Sequence, residues 1–341
     1  MRKHFASVTL LLISGMLNTA VAQHHTSVSR WDRSSAMAAV RSVNIDAAVT
    51  EIGDLGDLEA LENRTDWPLP AREAAIYKFT QSLASGPRDA VAGAMMQYLS
   101  SYRAQVLVPH EDHADGTVPL FNVRGAAAGV KNGWTRSESA AEARVLLATN
   151  PAALTAEYLK SSHPAQRAGY LDELQHANPV SVQTVQTAAL EQLGESPELT
   201  RLLAVTAIIT ADPFAARRLL TDGAGPGLAS ALVTLGAQNS IAGTAALLKF
   251  GIEHAPATNA ALAIAAWWPL LGNDAATRQL LINKLTDPAL GSAAALALAQ
   301  SPDIQTIRQL QRIAGGDSAA ARRAQLALNI NRDSLLGKVR K

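Results

Sequence analysis

Apolar residues recur every three or four positions along much of the chain, with polar residues between them. Leu199, Leu202 and Leu203 show this spacing, and so do Ile304 and Ile307. The spacing places the apolar side chains on one face of an α-helix. The pattern therefore predicts a series of helices, each with one buried face.

A recurring dipeptide separates these predicted helices: a polar residue able to cap a helix, followed by proline. The polar side chain can accept a hydrogen bond from a free N–H group of the first turn, and proline fits the first helical position because no donor is needed there. The starts lie 13 to 18 residues apart, so a helix pair occupies about 30 residues, as in solenoid repeats. The pairs are Asn150-Pro151, Asn178-Pro179, Ser196-Pro197, Asp212-Pro213, Asp287-Pro288 and Ser301-Pro302, while His163-Pro164 repeats the proline without a good cap.

The composition also favours helices over sheets. Hydrophobic residues make up 48% of the chain but aromatic residues only 4%, so Ala and Leu, which are strong helix formers, carry most of the apolar content. A β-sandwich would contain more Val, Ile, Thr and aromatic residues. We therefore predict an all-α fold, an α-solenoid of antiparallel helix pairs.

The C-terminal half resembles a known repeat family. The segments that open at Asp287-Pro288 and at Gly316-Asp317-Ser318 run into Ala- and Leu-rich stretches, and the second carries Arg322-Arg323. This arrangement resembles HEAT repeats of the short bacterial kind, most clearly over residues 196–330, with predicted repeats over 137–333. The resemblance implies an α-solenoid with a partner-binding surface, and it carries over no catalytic residues.

The N-terminal region, residues 23–136, is less regular. Residues 108–134 contain two Pro, four Gly and no clean helical period, so we predict one long irregular loop there. Loops of that length are usually functional or disordered. Apolar members such as Phe121 indicate an ordered loop, with a short hairpin to residues 105–108. At the other end, residues 334–341 form a predicted basic tail.

The first 22 residues have the order of a cleavable secretory signal. Cationic Arg2 and Lys3 precede an apolar run over residues 5–17, which ends in the small-x-small sequence Ala20-Val21-Ala22. Thirteen helical residues cover about 20 Å, short of a hydrocarbon core of about 30 Å, so a membrane anchor is the weaker alternative. We expect cleavage after Ala22 and a periplasmic or secreted product without a membrane span.

Charge and cysteine content narrow the function further. The predicted signal holds two of the 30 basic residues and none of the 29 acidic ones, so its removal changes the net charge from +1 to about −1. A chain close to neutral has no general attraction to nucleic acid. The absence of cysteine excludes disulfides, thiolate zinc sites and cysteine nucleophiles.

Candidate metal ligands cluster inside the predicted loop, at His110, Glu111, His113 and Asp115. Imidazole and carboxylate groups bind zinc and similar divalent transition metals. The spacing, however, matches neither a zinc-protease helix nor an EF-hand loop. A solvated polar loop is therefore the simpler interpretation of this cluster.

Cleavage after Ala22 would create a second candidate metal site at the new terminus, Gln23-His24-His25. A free amine with histidine in the third position can bind Cu²⁺ or Ni²⁺ in a square plane. Cyclisation of Gln23 would remove that amine.

Trp267 and Trp268 are candidate partner-binding residues, together with Phe121. Two adjacent residues of a helix cannot both face one core, so one tryptophan is expected to be exposed. It would either anchor a partner in a groove or lie partly buried against the next helix.

Motifs for catalysis are missing from the sequence, which has no nucleophile elbow, no phosphate-binding loop and no complete dinucleotide fingerprint. The leading hypothesis is a non-catalytic exported scaffold that binds a protein or peptide in the cell envelope. One alternative is a metal-binding or metal-dependent hydrolytic protein that uses residues 110–115. Another is a ring of helix pairs acting on cell-wall polysaccharide, which would need paired carboxylates that the sequence does not reveal.

Overall fold

The structure is a computed structural model that describes residues 28–113 and 115–339, with side chains up to Arg332. The predicted signal over residues 1–22 and the candidate ligands His24 and His25 lie outside the described residues. The chain divides into two compact units, Met1–Val130 and Lys131–Lys341.

The first unit is built around one central helix. Four of its helices have an acidic or amide side chain, such as Asp54, that accepts a hydrogen bond from a first-turn N–H group. The helices are α1 (Arg33–Arg41), α2 (Ile45–Glu51), α3 (Leu55–Glu62), α4 (Leu69–Ser82) and α5 (Ala90–Ser101). Helix α4 packs against α1, α2 and α3 and buries Ile76 and Phe79 among them.

A small three-stranded sheet completes this unit. Strand β2 (Val106–Pro109) lies between β1 (Ser29–Arg30), which runs parallel to it, and β3 (Thr117–Pro119), which runs antiparallel. Val108 pairs with Val118 in the antiparallel ladder. The predicted short hairpin is therefore confirmed, between residues 106–109 and 117–119.

The predicted loop over 108–134 is wrong beyond residue 122, because helix α6 (Val123–Thr149) begins there. The side chain of Asn122 accepts a hydrogen bond from the N–H group of Gly125, 2.9 Å away, and starts the helix. Val123, Ala127 and Val130 are buried at helical spacing. The helical period escaped notice because glycines occupy much of the exposed side of its first turns.

The second unit consists of the rest of α6 followed by a long series of helices. Apart from the tail, these fall within the region where repeats were predicted. They are α7 (Ala153–Lys160), α8 (Pro164–Leu174), α9 (Pro179–Gln192), α10 (Leu199–Thr210), α11 (Pro213–Asp222), α12 (Gly227–Gln238), α13 (Ile241–His254), α14 (Ala257–Leu271), α15 (Ala275–Lys284), α16 (Gly291–Leu298), α17 (Ile304–Ala314) and α18 (Ala319–Val339).

These helices form two layers. In the even layer α8, α10, α12, α14, α16 and α18 each contact the next, and in the odd layer α7, α9, α11, α13 and α15 do the same. One continuous hydrophobic core runs between the layers. Helices α9, α11, α13, α15 and α17 start 28 to 34 residues apart. The predicted all-α fold, built from helix pairs of about 30 residues, is confirmed.

The predicted capping residues act in two ways. Asn178 and Asp212 cap α9 and α11 as expected, and His163 also caps α8, because its Nδ1 atom accepts a hydrogen bond from Ala165 N at 3.2 Å. In other repeats the helix begins a few residues later. After Ser196, for example, a single turn precedes the first residue of α10, Leu199, whose N–H group donates to Ser196 O at 3.0 Å.

The expectation that one of the adjacent tryptophans is exposed is wrong, since Trp267 is 0% and Trp268 4% exposed. Helix α14 is covered on more than one side, by α12 and α16 of its own layer and by α13 of the other. Trp267 Nε1 donates a hydrogen bond to Leu232 O at 2.6 Å. Its ring fits against Gly236, where a Cβ atom would lie 2.5 Å from Trp267 Cδ1.

The predicted basic tail over 334–341 is helical through Val339, because α18 continues to that residue. No helix in the described part of the chain combines the length and the apolar character needed to cross a membrane.

Candidate functional site

Three successive helices of the even layer, α12, α14 and α16, contain no charged residue. They lie side by side, because α12 contacts α14 and α14 contacts α16. The neighbouring odd-layer helices do carry charge, for example Lys249 on α13 and Arg278 on α15. A surface helix normally places charged residues on its outward side. We call the exposed side of α12, α14 and α16 the uncharged face.

Large aliphatic side chains project from the middle of each helix of the uncharged face. Val233 on α12 is 54% exposed, Leu262 on α14 is 38% exposed and Leu296 on α16 is 51% exposed. They occupy corresponding positions, the sixth or seventh residue of their helices, so they form a row across the contacting helices. Leu326, 46% exposed on α18, extends the row by one helix.

Helix α14 shows why this surface is apolar. Its buried side carries Ala260, Ile264 and Trp267 at helical spacing, which holds it in the core. Its other side is also apolar and includes the exposed Leu262 and Leu270. A helix that is hydrophobic on all sides is normally buried on all sides, and contiguous exposed apolar surface marks interaction sites in soluble proteins. The uncharged face therefore has the character of an interface.

The candidate metal ligands lie at the tip of the β2–β3 hairpin. The rings of His110 and His113 are neighbours, with centroids 4.7 Å apart. Other partners occupy part of the set: His110 Nδ1 accepts a hydrogen bond from Asp112 N at 3.0 Å, and Glu111 pairs with Arg33 at 3.2 Å. Across residues 28–113 and 115–339, no three side chains of ligating types meet in a group able to hold a metal ion. Metal binding here, with Asp115 as the fourth ligand, stays a prediction.

Phe121, the third predicted partner-binding residue, is half-buried and packs against another ring of the first unit. Its ring centroid lies 5.9 Å from that of Tyr77. It thus fills a gap beside α4, and Trp267 and Trp268 lie in the core of the second unit.

A pair of carboxylates that the sequence did not reveal lies in the first unit. The two oxygens of Glu73, on α4, accept hydrogen bonds from the backbone N–H groups of Gln105 and Val106, at 2.8 and 3.0 Å. Glu62, on α3, accepts from the side chain of Gln105 at 3.0 Å and from the hydroxyl of Tyr98. Every carboxylate oxygen of the pair thus has a donor, and the pair holds strand β2 against α3, α4 and α5.

Burial controls the ionisation of this pair. Glu73 is 0% exposed, and burial raises the pKa of its carboxyl group from 4.5 to about 7, against the opposing effect of the two backbone N–H groups. The nearby charge of Glu62 adds to the rise in the pKa of Glu73. Burial, with Glu73 and Glu62, also raises the pKa of Tyr102. These groups have a structural role, since they fix the start of β2.

The uncharged face had a signal in the sequence that the search for motifs overlooked. Charged residues are absent from three stretches, 223–248, 255–273 and 288–302, which alternate with charged segments. A plot of charge along the chain, compared with the repeat period, identifies the even helices of this region.

No protein-family model, curated protein or solved structure gives a significant match to the chain.

Proposed function

We propose that this protein is an exported, non-catalytic helical-repeat scaffold that binds another protein of the cell envelope through the uncharged face. The observation that carries the proposal is the run of three contacting helices without a charged residue, each of which exposes an aliphatic side chain. The signal-like segment over residues 1–22 supports export. The HEAT-like spacing supports a binding role, since stacked repeats form extended binding surfaces.

The energetic case rests on the exposed area that a partner would cover. Full burial of a Val or Leu side chain contributes about 1.5–3 kcal/mol. Val233, Leu262 and Leu296 each keep between a third and a little over half of their surface exposed. Covering the remainder would contribute on the order of 1 kcal/mol per side chain. An uncharged partner surface suits this face, because no charge would lose its hydration on binding.

Co-purification from the native envelope fraction tests the proposal. The tagged wild-type protein should retain one partner in a fixed ratio, and a variant with Val233→Lys and Leu296→Lys should lose it. Both substitutions replace exposed helical positions. The matched control, Gln183→Lys with Gln311→Lys, places the same charges on exposed positions of α9 and α17 in the odd layer and should retain the partner.

Circular dichroism of all three proteins checks that the helices are intact. If the variant of the uncharged face retains the same partner in the same ratio as the control, the proposed binding surface is wrong.

A further inference from the structure

A groove in the second unit lies where α10 turns into α11 and α12 turns into α13. It has a volume of about 210 Å³, smaller than the ~300–1,000 Å³ of sites for drug-sized ligands. Its size suits one bulky side chain. The apolar wall includes Ala207, Ala211, Ala216, Leu235, Ala246 and Leu247.

One cation borders this apolar groove. Arg217 is exposed and its guanidinium group lies 5.2 Å from the ring centroid of Phe250. Arg218, the next residue, pairs with Asp222, whereas Arg217 forms no ion pair within the residues that the structure describes. Its charge is therefore available to an anionic group of a ligand.

The one acidic residue of the groove wall is already occupied. Asp212 Oδ2 accepts a hydrogen bond from Gln186 Nε2 at 2.5 Å, and Oδ1 accepts from the N–H group of Phe214 at 2.8 Å. These bonds direct the carboxylate toward α9 and the first turn of α11. The amide of Asn239, exposed on the wall, offers a further donor beside Arg217.

Backbone strain marks the same groove. Ala211 adopts a left-handed conformation, with φ of 51°, at the C-terminus of α10. Glycine usually occupies this position, and a side chain there costs about 1–2 kcal/mol. Ala211 lines the groove, and strained residues cluster at ligand sites.

We propose that this groove binds the C-terminal residue of a partner peptide when that residue is bulky and apolar. The side chain would fill the groove and the terminal carboxylate would pair with Arg217. A C-terminal residue carries both groups on a single Cα atom, which matches a groove sized for one side chain with a cation on its wall. The groove lies outside the uncharged face, so the two proposals can fail separately.

The test uses N-acetyl-phenylalanine and its neutral amide as probes of the full chain, labelled at Ala and Leu methyl groups for NMR. The acid should shift the signals of Leu235, Leu247 and Ala246 in a saturable manner. It should bind about fivefold more tightly than the amide, because a charged hydrogen bond to Arg217 is lost in the amide. Equal affinities for acid and amide, or shifts confined to other residues, would overturn the proposal.

Matched variants separate the two parts of the site. Arg217→Gln should abolish the preference for the acid, and Lys249→Gln, an exposed cation of α13, should preserve it. Ala246→Leu, at an exposed position of the wall, should block both probes, and Ala276→Leu, exposed on α15, should block neither. A preference for the acid that survives Arg217→Gln would overturn the assignment of Arg217.

A third probe distinguishes a terminal from an internal carboxylate. The dipeptide amide acetyl-Phe-Asp-NH₂ carries its carboxylate on the side chain of the second residue. It should bind no better than the amide of phenylalanine. Tighter binding than N-acetyl-phenylalanine would contradict the recognition of a C-terminus.

Discussion

The buried carboxyl group of Glu73 makes the stability of the first unit depend on pH. Its pKa rises from 4.5 to about 7 in the folded protein. Between these two values the folded unit therefore holds a proton that the unfolded chain releases. Raising the pH through this window lowers the free energy of unfolding, and the loss is complete above the folded-state pKa.

The size of the effect follows from the shift in pKa. One pKa unit corresponds to about 1.4 kcal/mol, so the rise from 4.5 to about 7 corresponds to a loss on the order of 3 kcal/mol. Glu73→Gln should remove this dependence, because the uncharged amide resembles the protonated acid in shape. The variant should be close to the wild type in stability near pH 5 and should gain relative to it as the pH rises.

Hydrogen exchange of the α4 amides, measured by mass spectrometry from about pH 5 to about pH 8, reports the opening of this unit. The wild-type opening free energy, compared with that of Glu73→Gln, should fall by on the order of 3 kcal/mol across this range. Glu59→Gln, at an exposed position of α3, should follow the wild type. Parallel pH profiles for wild type and Glu73→Gln would refute the reasoning.

Three further predictions concern the packing of the second unit, and urea unfolding checks each of them. Ala211→Gly should raise the free energy of unfolding by about 1 kcal/mol, because glycine adopts the left-handed conformation without strain; a loss of stability would contradict this. Gly236→Ala should lower it by about 1–3 kcal/mol, since the new methyl group overlaps the ring of Trp267. Gly169→Ala should cost more than Gly236→Ala, because its methyl group would lie 2.1 Å from the backbone oxygen of Arg136. The reverse order would show that α8 can move away from α6.

The helical repeat could be predicted because its causes are local. The spacing of apolar residues and the caps at Asn178 and Asp212 act within one helix. The error over residues 123–134 was also local, since glycines on the exposed side of α6 obscured a period carried by Val123, Ala127 and Val130.

The features that depend on contacts between distant segments could not be predicted. Trp267 and Trp268 are both buried because helices of both layers cover α14, whereas the expectation assumed one buried side. Glu62 and Glu73 lie on separate helices and meet through Gln105, more than 30 residues further along the chain. Neither their spacing nor their residue types indicate that contact.

Site-specific photocrosslinking in native cells tests the central claim, that the uncharged face binds a partner protein. Benzoylphenylalanine would replace Leu262 or Leu296 on this face, and Gln183 or Gln311 on the odd layer as controls. We predict that both positions of the uncharged face form an adduct with the same protein and that the control positions form none with it. No adduct from Leu262 and Leu296, or the same adduct from the control positions, would contradict the claim.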